Sequence, residues 1–309
     1  MRLKSLHHAH FVVSDFEAVE AFATDFGLST VQKDERRLLM ATAGADQYSY
    51  IADRGPGPRF LGLGFLVEGM RDLEEAVERH GATPIQPIDR PGGGYSVTLV
   101  DPEGHRIELI AGVAEKQADR SNKPLELNTP GRKARRDRRQ AGRPLQAQKL
   151  FRLGHVGLYV VDFDKVSGWY AEVLGLRPSE LIHAGDPEDN IVAFYRLDRG
   201  DDYVDHHVLA FVKFERADCH HLSFEAEDFE AQFMAHRWMS ERGYELCYGV
   251  GRHPLGSHVF DTWFNPEGYR WESFSDTDVH NAERPAGRHD FRSLGLDVWS
   301  SEPPDRYFA

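Results

Sequence analysis

The sequence predicts an α+β protein made of two tandem copies of one module. Three observations carry that prediction. Each copy opens on a short apolar strand that runs into an Asp placed to cap a helix. Each of these helices closes on Gly-Leu, and each copy ends on a Pro-Glu-Gly turn between two strands. The length agrees, since 309 residues at about 150 per domain make two domains.

In chain order, the first copy begins His8-Ala-His-Phe-Val-Val-Ser-Asp15 and its helix ends at Gly27-Leu28. The second begins His155-Val-Gly-Leu-Tyr-Val-Val-Asp162 and its helix ends at Gly175-Leu176, an offset of 147 residues from His8 and from Asp15. Leu63-Gly-Phe-Leu-Val parallels Leu222-Ser-Phe-Glu-Ala, each leading into an amphipathic helix that stops at Gly81 or Gly243. Asp101-Pro-Glu-Gly-His-Arg-Ile-Glu108 parallels Asn265-Pro-Glu-Gly-Tyr-Arg-Trp-Glu272. The expected organisation is a module over 1–112, a basic linker over 113–149, a second module over 150–276 and an irregular tail over 277–309. Each module should hold two helices and a predominantly antiparallel sheet.

Composition narrows the function. The net charge is −13, yet 112–149 carries 11 Lys/Arg against 4 Asp/Glu, leaving 26 against 46 elsewhere. An acidic body repels nucleic acid, and the run Gly131-Arg-Lys-Ala-Arg-Arg-Asp-Arg-Arg139 reads as a solvated connector on an acidic surface. No apolar run reaches the roughly 18 residues of a membrane span. The first residues lack the apolar core of a secretory signal, and two cysteines make no disulfide framework, so a cytoplasmic location is expected.

Comparing the copies isolates the chemistry. His155, His221 and Glu272 stand at equivalent strand positions in the second module; the first has His8, Gly62 and Glu108 there. Two imidazoles and one carboxylate on one face of an ion leave three adjacent positions open, as in non-haem Fe(II) oxygenases. A closed structural zinc site more often has four ligands and thiolates. Cys219 lies two residues before His221 and would share its strand face.

The segments His155-Val-Gly-Leu, His206-His207-Val-Leu-Ala-Phe, His221-Leu-Ser-Phe-Glu and Gly251-Arg-His253, with Asn265-Pro-Glu-Gly-Tyr-Arg-Trp-Glu272, together resemble the extradiol ring-cleavage dioxygenases of the vicinal oxygen chelate superfamily. The resemblance implies two tandem modules of paired βαβββ units, each a partly open barrel, with metal only in the C-terminal one. It makes His155, His221 and Glu272 ligands to Fe(II), with Mn(II) accepting the same set. It makes His207 the acid/base residue and His253 a partner of the substrate hydroxyl, while His206 and His220 face away. Where the family commonly has a tyrosine ten residues before the ligand Glu, this chain has Thr262. A longer substrate group, a water, or another phenol such as that of Tyr248 would then serve.

The implied reaction is extradiol cleavage of a catechol by O2 to a muconic-semialdehyde-type product, in an enzyme that tends to form homo-oligomers. Two alternatives share the scaffold: a glyoxalase-like metal-dependent isomerase or epimerase, and a non-catalytic protein that sequesters a small molecule. Metal content separates the second from an enzyme; O2-dependent ring opening separates the first.

Overall fold

The computed structural model describes residues 1–119, 125–137, 144–300, 303 and 307. The N-terminal module runs β1 (Leu3–Val13), α1 (Phe16–Phe26), β2 (Ser29–Lys33), β3 (Arg37–Ala41), β4 (Tyr50–Arg54), β5 (Arg59–Val67), α2 (Met70–His80), β6 (Gln86–Pro87), β7 (Tyr95–Val100) and β8 (Arg106–Ala111). The C-terminal module runs β9 (Leu150–Val160), α3 (Phe163–Leu174), β10 (Arg177–His183), β11 (Asn190–Arg196), β12 (Val204–Asp205), β13 (Leu209–Lys213), β14 (Asp218–Ala226), α4 (Phe229–Glu241), β15 (Leu246–Arg252), β16 (Val259–Phe264) and β17 (Arg270–Ser275). Two further strands, β18 (Val279–His280) and β19 (Gly287–Asp290), follow it.

Local chemistry explains the helices. Asp15 and Asp162 accept the backbone N–H of Ala18 and Lys165, satisfying donors that a helix start leaves orphaned. Gly175 closes α3 in the left-handed region at φ 71°, where a Cβ would cost energy. On α1 the buried side chains are Phe16, Val19, Phe22, Ala23 and Phe26, one stripe of a 3.6-residue period.

Each module is two βαβββ units joined edge to edge. The first sheet has the order β2-β3-β4-β1-β5-β8-β7-β6, with β1 and β5 antiparallel at its centre. The second repeats this as β15-β16-β17-β14-β9-β13-β11-β10, with β14 and β9 at the centre and β19 added beyond β10. The first strand of each unit pairs with its last in parallel (β1·β4, β5·β8, β9·β13, β14·β17), so the sheets are mixed, with antiparallel pairs in the majority. The terminal segment, expected to pack irregularly, supplies β18 and β19. Pairing with the exposed edges of β12 and β10 satisfies their backbone groups. Parts of the linker (120–124 and 138–143) and most of the chain beyond 300 lie outside the described residues.

One hydrophobic core runs through both modules. Trp271 is fully buried against Phe22, Phe26 and Tyr50 of the N-terminal module and Phe224 of its own. The two Pro-Glu-Gly turns clasp across this seam. Glu267 Oε1 accepts the backbone N–H of Ser14 and of Asp15 at 2.8 and 3.2 Å, and Glu103 Oε1 accepts those of Val161 and Asp162 at 2.6 and 2.9 Å. Each turn thus anchors the helix start of the other module. Among the described residues no helix is long and apolar enough to cross a membrane.

Candidate metal centre

Register across the second sheet builds the site. Thr262 pairs with Glu272, Glu272 with Ser223, and Ser223 with His155, a lateral row across four strands. His221 lies two residues before Ser223, so pleating puts it on the same face. His155 Nε2 is 3.2 Å from Glu272 Oε1. The Ser223 hydroxyl donates to that same oxygen at 2.6 Å, and the Thr262 hydroxyl donates to Oε2 at 3.3 Å. The His155 ring lies 5.3 Å from His221, 4.2 Å from His207 and 5.4 Å from His258, centroid to centroid. His155, His258 and Glu272 each offer a ligand atom within 4.8 Å of the others, and all three are buried.

Glycine makes room for His221. Gly157, its cross-strand partner on β9, lies under the imidazole: a Cβ there would sit 2.5 Å from His221 Cε1 and 3.2 Å from His220 Cβ.

Burial sets the protonation states. It drives the pKa of His155, His207 and His258 well below the usual imidazole value, and that of His221 down to about 3. The same desolvation opposes ionisation of Glu272, but His221, His258 and His253, with the Ser223 hydroxyl, outweigh it and hold the carboxyl below its ordinary value. Neutral imidazoles beside an ionised carboxylate are the forms in which these groups bind a metal.

The row opens into a cavity of about 290 Å³. His155, His207, His221, His253, His258 and Glu272 line one end; the walls are mainly apolar, including Ile182, Val192, Phe194 and Leu255. The expected His207 and His253 are therefore gathered with the three expected ligands. His253 Nδ1 donates to the Leu296 carbonyl at 2.8 Å, and its ring stacks on Phe260 at 4.0 Å.

Several expectations change. His220, expected to face away, also lines the cavity, because a register shift between Cys219 and His221 interrupts the two-residue alternation of β14. His206 does face away, its Nδ1 meeting His207 Nδ1 at 2.9 Å. Cys219 is packed in the core, where burial pushes its thiol well up. Thr262 and Tyr248 are not among the lining residues: the Thr262 hydroxyl is engaged by Glu272, and Tyr248 is buried in a separate cluster with Phe260. Tyr159 and Tyr307 line the cavity instead. His258 was missed by sequence reasoning: it lies just before β16, outside the strand pattern that located the other groups.

The N-terminal module repeats the row without the site. Thr98 pairs with Glu108, Glu108 with Gly64, and Gly64 with His8. His8 Nε2 is 3.1 Å from Glu108 Oε2. Gly62 takes the register place of His221; its φ is +151°, and a Cβ would come within 2.7 Å of the Arg106 carbonyl carbon. A guanidinium supplies the cation here, Arg90 donating to both Glu108 oxygens at 2.7 and 2.8 Å.

Residues 152–273 match the Glyoxalase/Bleomycin resistance protein/Dioxygenase superfamily. Over 311 aligned residues the chain is 29% identical to metapyrocatechase 2 of Cupriavidus necator, covering 99% of this chain and 91% of that protein. The second module is thus similar to that superfamily, and the whole chain is similar to a protein named as a metapyrocatechase. Solved structures carry the same architecture. Homoprotocatechuate 2,3-dioxygenase from Brevibacterium fuscum superposes with a TM-score of 0.80 at 17% identity, over 99% of this chain and 92% of that one. The Mn(II)-bound glyoxalase from Novosphingobium aromaticivorans gives 0.78 at 20%, over 99% and 94%. At such identities the likeness is one of fold, and an extradiol dioxygenase shares that fold with a glyoxalase. Chemistry has to be read from the site.

Proposed function

We propose that this enzyme uses Fe(II) to cleave a catechol-type ring with O2, releasing a muconic-semialdehyde-type product. The observation that carries the reading is the meeting of His155, His221, His258, His207 and Glu272 at one end of a single buried, largely apolar cavity. The donor set fits a divalent ion: neutral imidazoles, one ionised carboxylate with a hydroxyl on each oxygen, and a buried His258 Nδ1 without a hydrogen-bond partner. His155, His221 and Glu272 would hold the ion, with His258 in reach of the same place. Mn(II) suits these donors too. When bound, such an ion acidifies a chelated hydroxyl and brings ring and O2 together at adjacent positions.

The protein's own groups do the rest. His207, buried and neutral beside His155, takes the proton of a catechol hydroxyl and returns it to oxygen as the ring opens, the double duty for which imidazole is suited. A carbonyl can only accept, so the bond to Leu296 fixes a proton on His253 Nδ1 and leaves Nε2 for a hydrogen bond with a substrate hydroxyl. Thr262 and Ser223 orient Glu272. Ile182, Phe194 and Leu255 exclude water and match a flat apolar ring.

The test is anaerobic reconstitution with Fe(II), addition of catechols and then admission of O2. A yellow ring-opened product with one O2 consumed per ring is expected. Iron-replete protein that leaves every catechol intact would end the reading.

A further inference from the structure

Outside this cavity a second set of imidazoles converges on a buried carboxylate. Glu180 of β10 is 3% exposed and His206 is 1% exposed. His206 Nε2 lies 3.6 Å from Glu180 Oε1, and the His280 ring of β18 lies 5.3 Å from that of His206, centroid to centroid. His289 Nε2 of β19 lies 2.8 Å from the other carboxylate oxygen. Gly287 leaves the space open, since a Cβ there would come within 2.9 Å of Glu180 Cδ. The place is a seam where the C-terminal segment closes on the sheet edge and on the turn that precedes His207.

We propose that Glu180, His206 and His280 form a second divalent-metal site, suited to an ion of the Zn²⁺ or Co²⁺ class. Their ligand atoms lie within 4.8 Å of one another, and two imidazoles with one carboxylate are a donor set these ions accept. An ordinary ion-pair network accounts for part of the cluster: Arg284 donates to Glu180 Oε1 at 2.8 Å and to His280 Nε2 at 3.0 Å. It holds His206 Nε2 only loosely: at 3.6 Å from Glu180 Oε1 this buried nitrogen is beyond hydrogen-bond distance and has no closer partner, an arrangement that is costly unless something binds it. Arg284 holds a cation's place from the surface, its side chain 43% exposed, and can swing out when an ion enters. The supporting contacts are those of a ligated site: His206 Nδ1 is held by His207 at 2.9 Å and Glu180 by His289. The inference does not depend on the catalytic reading, because no donor is shared with the first centre.

The test uses the untagged full chain, stripped with a chelator and titrated with Co²⁺ under argon. Bound metal is counted after gel filtration, and visible absorption and thermal unfolding are followed. Two equivalents per chain are expected. His280→Ala, at the half-buried rim where folding is little at risk, should bind one. His155→Ala should also bind one and should keep the rise in Tm on adding Co²⁺; combining both should abolish binding. A His155→Ala protein that binds no Co²⁺, or a His280→Ala protein that still binds two, would overturn the second site. A wild-type chain whose single equivalent is lost with His280 but not with His155 would support this site while removing the first.

Discussion

Gly157→Ala tests which imidazoles would grip the proposed ion. The added methyl would stand 2.5 Å from His221 Cε1, where carbon atoms settle at about 3.5–4.0 Å. The ring must therefore retreat by about 1 Å from the position in which it lines the cavity. Overpacking of that kind costs about 1–3 kcal/mol of stability. Displacing a ligand through its support typically weakens metal binding about 10–100-fold, or about 1.4–2.8 kcal/mol. Gly64→Ala is the internal control: its methyl would press on His8, with Nε2 at 2.6 Å, in the module where Arg90 supplies the cation. Both variants should lower the urea midpoint to a similar degree. Only Gly157→Ala should weaken Fe(II) binding, measured anaerobically in a His280→Ala background so that one centre is read. If Gly157→Ala is destabilised yet binds iron as tightly as its parent, His221 is not a ligand. The group formed by His155, His258 and Glu272 would then take its place.

Three more predictions follow from other parts of the molecule. His207→Phe should retain iron, by elemental analysis, while turnover falls about 10²–10⁴-fold, the usual contribution of an acid/base group; an iron-replete variant with normal turnover would take His207 out of the mechanism. Arg90→Met should cost about 1–3 kcal/mol near neutral pH, because it removes a charge-assisted pair of hydrogen bonds and leaves the half-buried Glu108 with His8 beside it. Burial opposes the charge on Glu108, but His8 and Arg90 hold its pKa below the ordinary range, so their support is present above about pH 4.3 and fades as pH falls toward the folded value; the gap to wild type should narrow in acid melts. Asp46 is the opposite case: burial, with Glu115 nearby, pushes its pKa up to about 6. Its stabilising share is present below about pH 3.9 and is lost as pH rises through 6. Asp46→Asn should therefore stabilise the protein by about 1–3 kcal/mol at pH 7.5 and have little effect at pH 4.

What was legible in the sequence is what local pattern encodes. Asp15 and Asp162 mark helix starts, the paired Pro-Glu-Gly turns mark strand ends, and the repeat between them places His155, His221 and Glu272 in comparable registers. What was not legible depends on partners far away in the chain. The register shift that brings His220 to the cavity is a property of β14 against β9, and nothing in Asp218-Cys-His-His announces it. Thr262 and Tyr248 were plausible substrate contacts by position, but only the assembled sheet shows one hydroxyl turned to Glu272 and the other ring buried elsewhere. His253 is held by Leu296, and Tyr307 reaches the cavity, because the C-terminal segment folds back over the site. That segment looked irregular because β19 has no apolar alternation and exists by pairing with β10.

The crossed clasp of Glu103 and Glu267 bears on how the molecule comes apart. Neither half can be cut free without baring a helix entrance on the other and exposing the Trp271 face. The tandem copies should therefore unfold together, as a tethered dimer with a single melting transition in calorimetry. Separately expressed halves should remain poorly folded until mixed, and the proposed ring-opening activity should appear only upon their reunion.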